Sequence, residues 1–308
     1  LDYIFVLRPT LFFPVWTVAL AGRWAQERFA PVDSPVRSWM SFPDIPLSIW
    51  LLFLTSVMAA AFLVNQISDV ESDRLNGKLY LLASGAISPR QAVAETVILI
   101  ALPLAALIWL RSDLAGWAAA AFLVTGFAYS CRPLMLENRP WGGLMTNFAG
   151  ALLIFSYGWL TGGRPGWEMV LRAVPYLLGI LAVYFLTTIP DVPGDTATGK
   201  RTVAVRYGIH RVVFMALATH ILALTTAVLS CDWVAVVPML AVLPFFWQTL
   251  RKQTVASALH TNKMAALALS LVVCMRFPFY LIFLVLVYFS CKWYYRHRFQ
   301  LEYPSMRL

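Results

Sequence analysis

Charged residues are scarce in this chain. They make up 13% of its 308 residues, about half the share of an ordinary soluble domain, which runs near 25%. A water-exposed surface could not be covered from so small a stock, so a soluble enzyme or a soluble nucleic-acid binder is excluded as the starting expectation. Cysteine and histidine are equally scarce, at four each. Cys131, Cys231, Cys274 and Cys291 form no C-x-x-C pair, and His210, His220, His260 and His297 have no metal-ligand spacing. Neither a zinc site nor a redox dithiol is expected, and both residue types read as structural.

Apolar residues are abundant instead, at 60% with a mean hydropathy of +0.71. They fall in blocks long enough to cross a hydrocarbon layer of about 30 Å. Windows of about 19 residues place helices near 3–24, 46–66, 91–110, 115–131, 143–161, 173–190, 211–230, 232–250 and 265–290. The expected architecture is an all-α integral membrane bundle of about nine spans, forming one polytopic domain over residues 1–308. Only Ser230, Cys231 and Asp232 separate the seventh and eighth blocks, so a re-entrant pair is an alternative there. The first block has no basic leader and is expected to insert as a helix in its own right.

The net charge of +9 would suggest nucleic acid in a soluble protein, but here the cations stand at the ends of apolar blocks. With nine spans, one membrane face receives the loops after blocks two, four, six and eight. These hold twelve Lys or Arg, at positions 74, 78, 90, 132, 139, 200, 201, 206, 211, 251, 252 and 263. The opposite loops hold six (Arg23, Arg28, Arg37, Arg111, Arg164, Arg172), and Lys292, Arg296, Arg298 and Arg307 follow the last block. The richer face is expected to be cytoplasmic, in a plasma (inner) membrane.

Only fifteen residues are acidic, and five of them form two short clusters on that face, Asp69, Glu71 and Asp73 after block two and Asp191 and Asp195 after block six. Asn65, Asp69 and Asp73 recur every fourth residue, which puts all three on one face of a continuing helix. Asp191 and Asp195 share that spacing, but Pro193 and Gly194 lie between them, so these carboxylates are expected at a broken helix end. Clustered carboxylates without His or Cys suit Mg²⁺, which keeps its waters and favours phosphates. Lys200, Arg201, Lys78 and Arg74 stand ready as compensating cations. The expected ligand is an anionic diphosphate at a membrane surface.

At these residues the chain resembles the UbiA superfamily of intramembrane prenyltransferases, whose pattern is N-x-x-x-D-x-x-x-D after helix 2 and D-x-x-x-D after helix 6. The run DVPGDTATGKRTVAVRYG from Asp191 to Gly208, the Ser84-Gly85 segment ending in Ile87-Ser88, and Tyr129-Ser130 with Pro133-Leu134 are similar to further family segments. The resemblance implies a central cavity roofed by two Asp-rich cytoplasmic loops. There Mg²⁺ and an isoprenyl diphosphate would be held by Asn65, Asp69, Asp73, Asp191 and Asp195. It further implies that Lys78, Lys200, Arg201, Arg8, Tyr129 and Ser130 line the diphosphate end.

The reaction it implies is transfer of a polyprenyl group to a lipophilic or aromatic acceptor within the bilayer, with no nucleic-acid partner. A quinone-type ring, a chlorophyll-type alcohol and a glycerol-phosphate lipid are the acceptor classes. Two departures stand out: Tyr80 occupies a position where the family often has a cation, and Glu137 stands where it often has lysine. Tyr129, Tyr157, Tyr184 and Phe185 are candidates to face an allylic cation. Asn147 is expected in an interhelical hydrogen bond or at the acceptor, and Arg276 facing the cavity or a protein partner, because a lone cation in an apolar block is costly.

Three other readings compete. A terpene cyclase would use the same scaffold without an acceptor. An ion transporter would need polar residues deeper in the spans than this chain provides. A CDP-alcohol phosphotransferase would need a D-G-x-x-A-R run that is missing near Asp69 and Asp191.

Overall fold

A computed structural model describes residues 1–29, 45–75 and 81–304. Lys78, Tyr80, Arg37 and Arg307 lie outside the described residues. A short helix, α1 (Asp2–Phe5), leads through a 3-10 turn at Pro9–Leu11 into α2 (Phe12–Phe29). There follow α3 (Ile45–Leu75), α4 (Pro89–Leu110), α5 (Ser112–Phe122), α6 (Pro140–Leu160) and α7 (Trp167–Thr187). Two short helices, α8 (Val192–Ala197) and α9 (Val203–Tyr207), precede α10 (Ile209–Leu229), α11 (Trp233–Lys252), α12 (Val255–Arg276) and α13 (Pro278–Phe299). Helices satisfy every interior backbone group within one segment, which is why an apolar chain in lipid adopts them.

Among the described residues, nine helices are long and apolar enough to span a membrane, and Ser112–Ala128 is a shorter tenth. The expected count of nine therefore agrees, but its composition does not. The block expected at 265–290 is two helices, α12 and α13. Pro278 has no N–H to give and disfavours helix at the residue before it, and Phe277 accordingly leaves the helical region at φ −122°, ψ 76°. Both flanks are apolar, so hydropathy carries straight across the break. The block expected at 115–131 is the shorter helix, and α10 and α11 are separate spans rather than a re-entrant pair. Lys263, expected in a loop, lies inside α12.

The extra pass changes which end the last basic segment occupies. The Tyr294 hydroxyl donates to Asp2 Oδ1 at 2.7 Å, and its ring stacks on Phe5 at 3.8 Å. Thr10 and Tyr303 hydroxyls meet at 2.8 Å. The Gln66 amide, one residue from Asn65 on α3, donates to the Val6 carbonyl at 2.7 Å. The segment after α13 thus lies at the end of the bundle that carries the acidic motifs, not at the opposite end as a nine-pass count requires.

The opposite end is held by ion pairs. Glu27 of α2 accepts from Arg23 at 3.0 Å and pairs with Arg276 of α12 at 2.7 Å. This is the partner expected for Arg276, which sits at a helix end. Asp232 pairs with Arg28 at 2.7 Å and accepts from the Tyr176 hydroxyl at 2.9 Å. Arg172 donates to the Ser230 carbonyl at 2.8 Å, with its guanidinium 3.6 Å from the centre of the Phe29 ring. Breaking a buried pair leaves a charge without its counter-ion and typically costs about 3–5 kcal/mol. Glu27→Gln, which sets one neutral amide between two guanidinium groups, is expected to destabilise by about 3 kcal/mol, read as a lowered thermal unfolding midpoint in detergent.

Candidate active site

α3 has 31 residues and is about 46 Å long at 1.5 Å per residue, which exceeds the hydrocarbon thickness. Its final turns therefore carry Asn65, Asp69 and Asp73 out at one end of the bundle, on one face as their spacing requires. Asp73 is buried. Beside α3, the chain after α5 widens into a π-type helix at Leu123–Ala128. A Cβ on Gly126 would lie 3.1 Å from the Ala61 Cα, so glycine is what lets the two backbones meet. One turn further along each helix, that approach sets Ser130 against Asn65, whose amide nitrogen lies 3.2 Å from the Ser130 hydroxyl. The next turn, Leu136–Asn138, delivers the buried Glu137. The Asn65 amide donates to Glu137 Oε2 at 2.9 Å and to Asp69 Oδ2 at 3.3 Å.

The second acidic motif arrives on a broken helix end, as its Pro-Gly pair implies. Asp191 stands at the N-terminus of α8, Asp195 lies within it, and α8 packs on α3. Gly199 then takes φ +76°, a left-handed conformation that other L-residues adopt only at a cost. That turn sends the Lys200 N–H back to the Asp195 carbonyl at 2.8 Å. The Lys200 ammonium ends between two carboxylates, donating to Asp69 and, at 3.4 Å, to Glu137. The Thr202 hydroxyl donates to Asp195 Oδ2 at 3.1 Å. Three loops distant in sequence are thereby tied into one polar cluster.

The electrostatics follow from that enclosure. Burial, and then the charge of Asp69, push Glu137 up to about 7 against the pull of Lys200. Burial also raises Asp195, with Asp191 adding repulsion. Burial works against the charged form of Lys200, but Asp69 and Glu137 outweigh it and hold its pKa above the usual lysine value. Two carboxylates share this one ammonium, and the Asp195 carboxylate feels both Asp191 and Asp69. Among the described residues, no three His, Cys, Asp or Glu side chains converge as a ready-made metal cage. Mg²⁺ needs no such cage, since it binds through one or two carboxylates and keeps several waters. The all-oxygen donor set fits that ion.

Comparison with known proteins decides the lineage. Residues 36–258 match the sequence pattern that defines the UbiA prenyltransferase family. The chain belongs to that family. It is 30% identical over 174 residues to the bacteriochlorophyll synthase 34 kDa chain of Chloroflexus aurantiacus, covering 52% of this chain and 54% of that one. It is 29% identical over 181 residues to digeranylgeranylglyceryl phosphate synthase of Methanoregula boonei, covering 58% and 62% respectively. The chain thus spans a little over half the length of these curated relatives. The structure of a UbiA homologue from Archaeoglobus fulgidus bound to GPP and Mg²⁺ superposes with a TM-score of 0.65 at 16% identity, over 93% of this chain and 99% of that one.

Within this UbiA member, Asn65, Asp69, Ser130 and Lys200 are brought into direct contact, and Asp195 joins them through the Lys200 turn. Tyr129 lies within electrostatic reach of Asp69, Glu137, Tyr184 and Asn147. Asn147 itself donates to the Gly143 carbonyl of its own helix at 2.9 Å. Arg201 ties its backbone N–H to the Asn138 carbonyl at 3.3 Å, with the residue exposed. Arg8 stands at the same end, near the Tyr295 hydroxyl. Tyr157 is not part of the site: its hydroxyl donates to the Trp50 carbonyl at 2.9 Å, at the far end of the bundle. Glu137 and Thr202 were not among the expected site residues. Glu137 could have been found as one of fifteen acids, seven residues after Ser130.

Among α2, α7, α10, α11 and α12 lies an apolar cavity of about 150 Å³, lined by Thr17, Tyr176, Gly179, Ile180, Val183 and Met239 among others. Tyr176, Ile180 and Tyr184 share one face of α7, and Tyr184 is within electrostatic reach of Asp195 and Glu137. α7 therefore walls the cavity between Tyr176 and Val183 and comes within electrostatic reach of the carboxylates at Tyr184. An apolar cavity of about this size is large enough for benzene. Gly199→Ala is expected to destabilise by about 1 kcal/mol, because alanine resists the left-handed turn. Equilibrium unfolding in mixed micelles measures it.

Proposed function

We propose that this protein transfers a prenyl group from an isoprenyl diphosphate to a lipophilic or aromatic acceptor inside the bilayer. The observation that carries this reading is one juxtaposition: carboxylates from two distant motifs meet around Lys200, and α7, which reaches them at Tyr184, also walls an apolar cavity inside the bundle. A diphosphate head needs the first and an isoprenoid tail needs the second. The relatives named for bacteriochlorophyll and archaeal lipid synthesis, and the homologue bound to GPP and Mg²⁺, support the same assignment.

In this reading Asp69, Asp73, Asp191 and Asp195, with Asn65, hold Mg²⁺ and the diphosphate. Bound Mg²⁺ supplies charge neutralisation for the leaving diphosphate. Lys200 exchanges its carboxylate partners for diphosphate oxygens, with Arg201 and Arg8 contributing positive charge around the mouth. The bond between the allylic carbon and the diphosphate oxygen breaks, and its electron pair leaves with the diphosphate. The rings of Tyr129 and Tyr184 lie next to the developing allylic cation, each able to stabilise it by about 0.5–2 kcal/mol. The apolar walls keep water away until the acceptor nucleophile forms the new bond to that carbon and releases its proton.

We further infer that the acidic end faces the cytoplasm and that the host is the plasma membrane. With Lys292, Arg296 and Arg298 at that end, the positive-inside bias is stronger than a nine-pass topology allowed.

Purified protein given geranylgeranyl diphosphate and Mg²⁺ is expected to release diphosphate and form a new prenylated product only when a native lipid extract is added. EDTA is expected to stop it. Acceptor-independent hydrocarbon would point instead to a cyclase, and no release with several donor lengths would sink the reading. Asp69→Ala and Asp191→Ala are each expected to remove Mg²⁺-dependent turnover while leaving the unfolding midpoint within a few degrees; wild-type turnover in either variant would refute the metal assignment. Gly179→Leu, which fills the cavity from α7, is expected to lower kcat/KM for geranylgeranyl diphosphate by roughly tenfold or more relative to dimethylallyl diphosphate, about the worth of a lost apolar contact. A donor-length series measures it.

A further inference from the structure

The carboxylate of Glu137 is the point on which the donors of the polar cluster converge. The Asn65 amide reaches its Oε2 at 2.9 Å, the Ser130 hydroxyl reaches the same oxygen at 3.3 Å, and the Lys200 ammonium reaches Oε1 at 3.4 Å. Ser130 in turn accepts from the Asn65 amide at 3.2 Å, and Asp69 Oδ2 accepts from it at 3.3 Å. The Asp69 and Glu137 oxygens thus both accept from the same Asn65 nitrogen. The side of Asn65 that faces Asp69 and Glu137 must therefore be its NH₂ group, which turns the carbonyl oxygen away from them.

We propose that Glu137 is a positioning residue of this site, fixing the Asn65 amide with its NH₂ group toward Asp69 and holding Lys200 in register beside Asp69. The inference rests on the reading of the acidic end as a Mg²⁺-diphosphate site. Residues that orient metal ligands through hydrogen bonds typically matter by about 10–100-fold in affinity. A lysine at this position would donate to Asn65 and favour the opposite face of the amide. The acid at 137 therefore gives this chain its own way of setting Asn65. Glutamine there cannot substitute, because its single oxygen serves only one side while its NH₂ meets a donor, either Asn65 with Ser130 or Lys200.

The test is titration of Mg²⁺ with inorganic diphosphate into detergent-purified protein, followed by calorimetry, alongside donor KM and kcat and the unfolding midpoint. Glu137→Gln is expected to weaken Mg²⁺-diphosphate binding by about 10–100-fold and to raise donor KM more than it lowers kcat. Glu137→Asp keeps the charge with one methylene less reach and is expected to fall between wild type and Glu137→Gln, several-fold weaker than wild type. In a Lys200→Met background the Glu137→Gln loss is expected to shrink, since coupled residues are not additive. Binding by Glu137→Gln within twofold of wild type overturns the proposal. Should that variant fail to fold, equal binding by Glu137→Asp and wild type overturns it. Asp69→Asn separates the two levels of the argument. If it binds as wild type, the diphosphate-site reading falls and this proposal with it. If it loses binding while Glu137→Gln does not, only the proposal falls.

Discussion

A carboxylate cannot be left alone in hydrocarbon, and the architecture of this protein follows from that cost. Asp69 and Asp73 belong to the same helix that crosses the membrane, so α3 must run past the hydrocarbon to bring them out. Asp191 and Asp195 must be released from α7 before they can turn toward α3, and the prolines at 190 and 193 with Gly194 provide the break. Two further acids, Glu27 and Asp232, are paired with arginines of α12 and α2. The polar chemistry is thus gathered at one end and the ionic ties at the other, with an apolar middle between them.

The two ends differ in what their charges are doing. At the Glu27 end, guanidinium groups and carboxylates meet at 2.7–3.0 Å in fixed pairs, and Asp232 is further held by Tyr176. At the Asp69 end, two carboxylates share the flexible Lys200, and Asp195 is pressed against the charge of Asp191. The first arrangement is complete. The second holds carboxylates close to one another, which suits a site that receives a cation and an anionic ligand together.

Much of this could be read from residue order, because the decisive signals are local. The four-residue spacing of Asn65, Asp69 and Asp73 needs only that a helix continue, and α3 does. Pro193 and Gly194 announce the broken end that presents Asp195. What hydropathy missed was the boundary at Phe277–Pro278, because a window averages over a two-residue interruption between apolar flanks. Glu137 was visible as a departure from a familiar pattern but not as the hub it is. Its surroundings come from α3, the turn after α5 and the turn after α8, and no spacing along the chain encodes that meeting. Tyr157 was misjudged for the same reason: helix period gives the face of a residue, whereas depth along the bundle depends on where each helix starts.

The clasp between the first turn and the last span has a consequence for biosynthesis. Asp2 and Tyr294 are 292 residues apart in sequence. At a ribosomal rate of about 5–20 residues per second, roughly 15–60 s pass between their emergence. During that interval α3 already displays Asp69, but the α1 segment tied to it through Val6 and Gln66 lacks its contacts with Tyr294. The acidic mouth therefore acquires its border along Asp2 and Phe5 only when α13 is in the membrane.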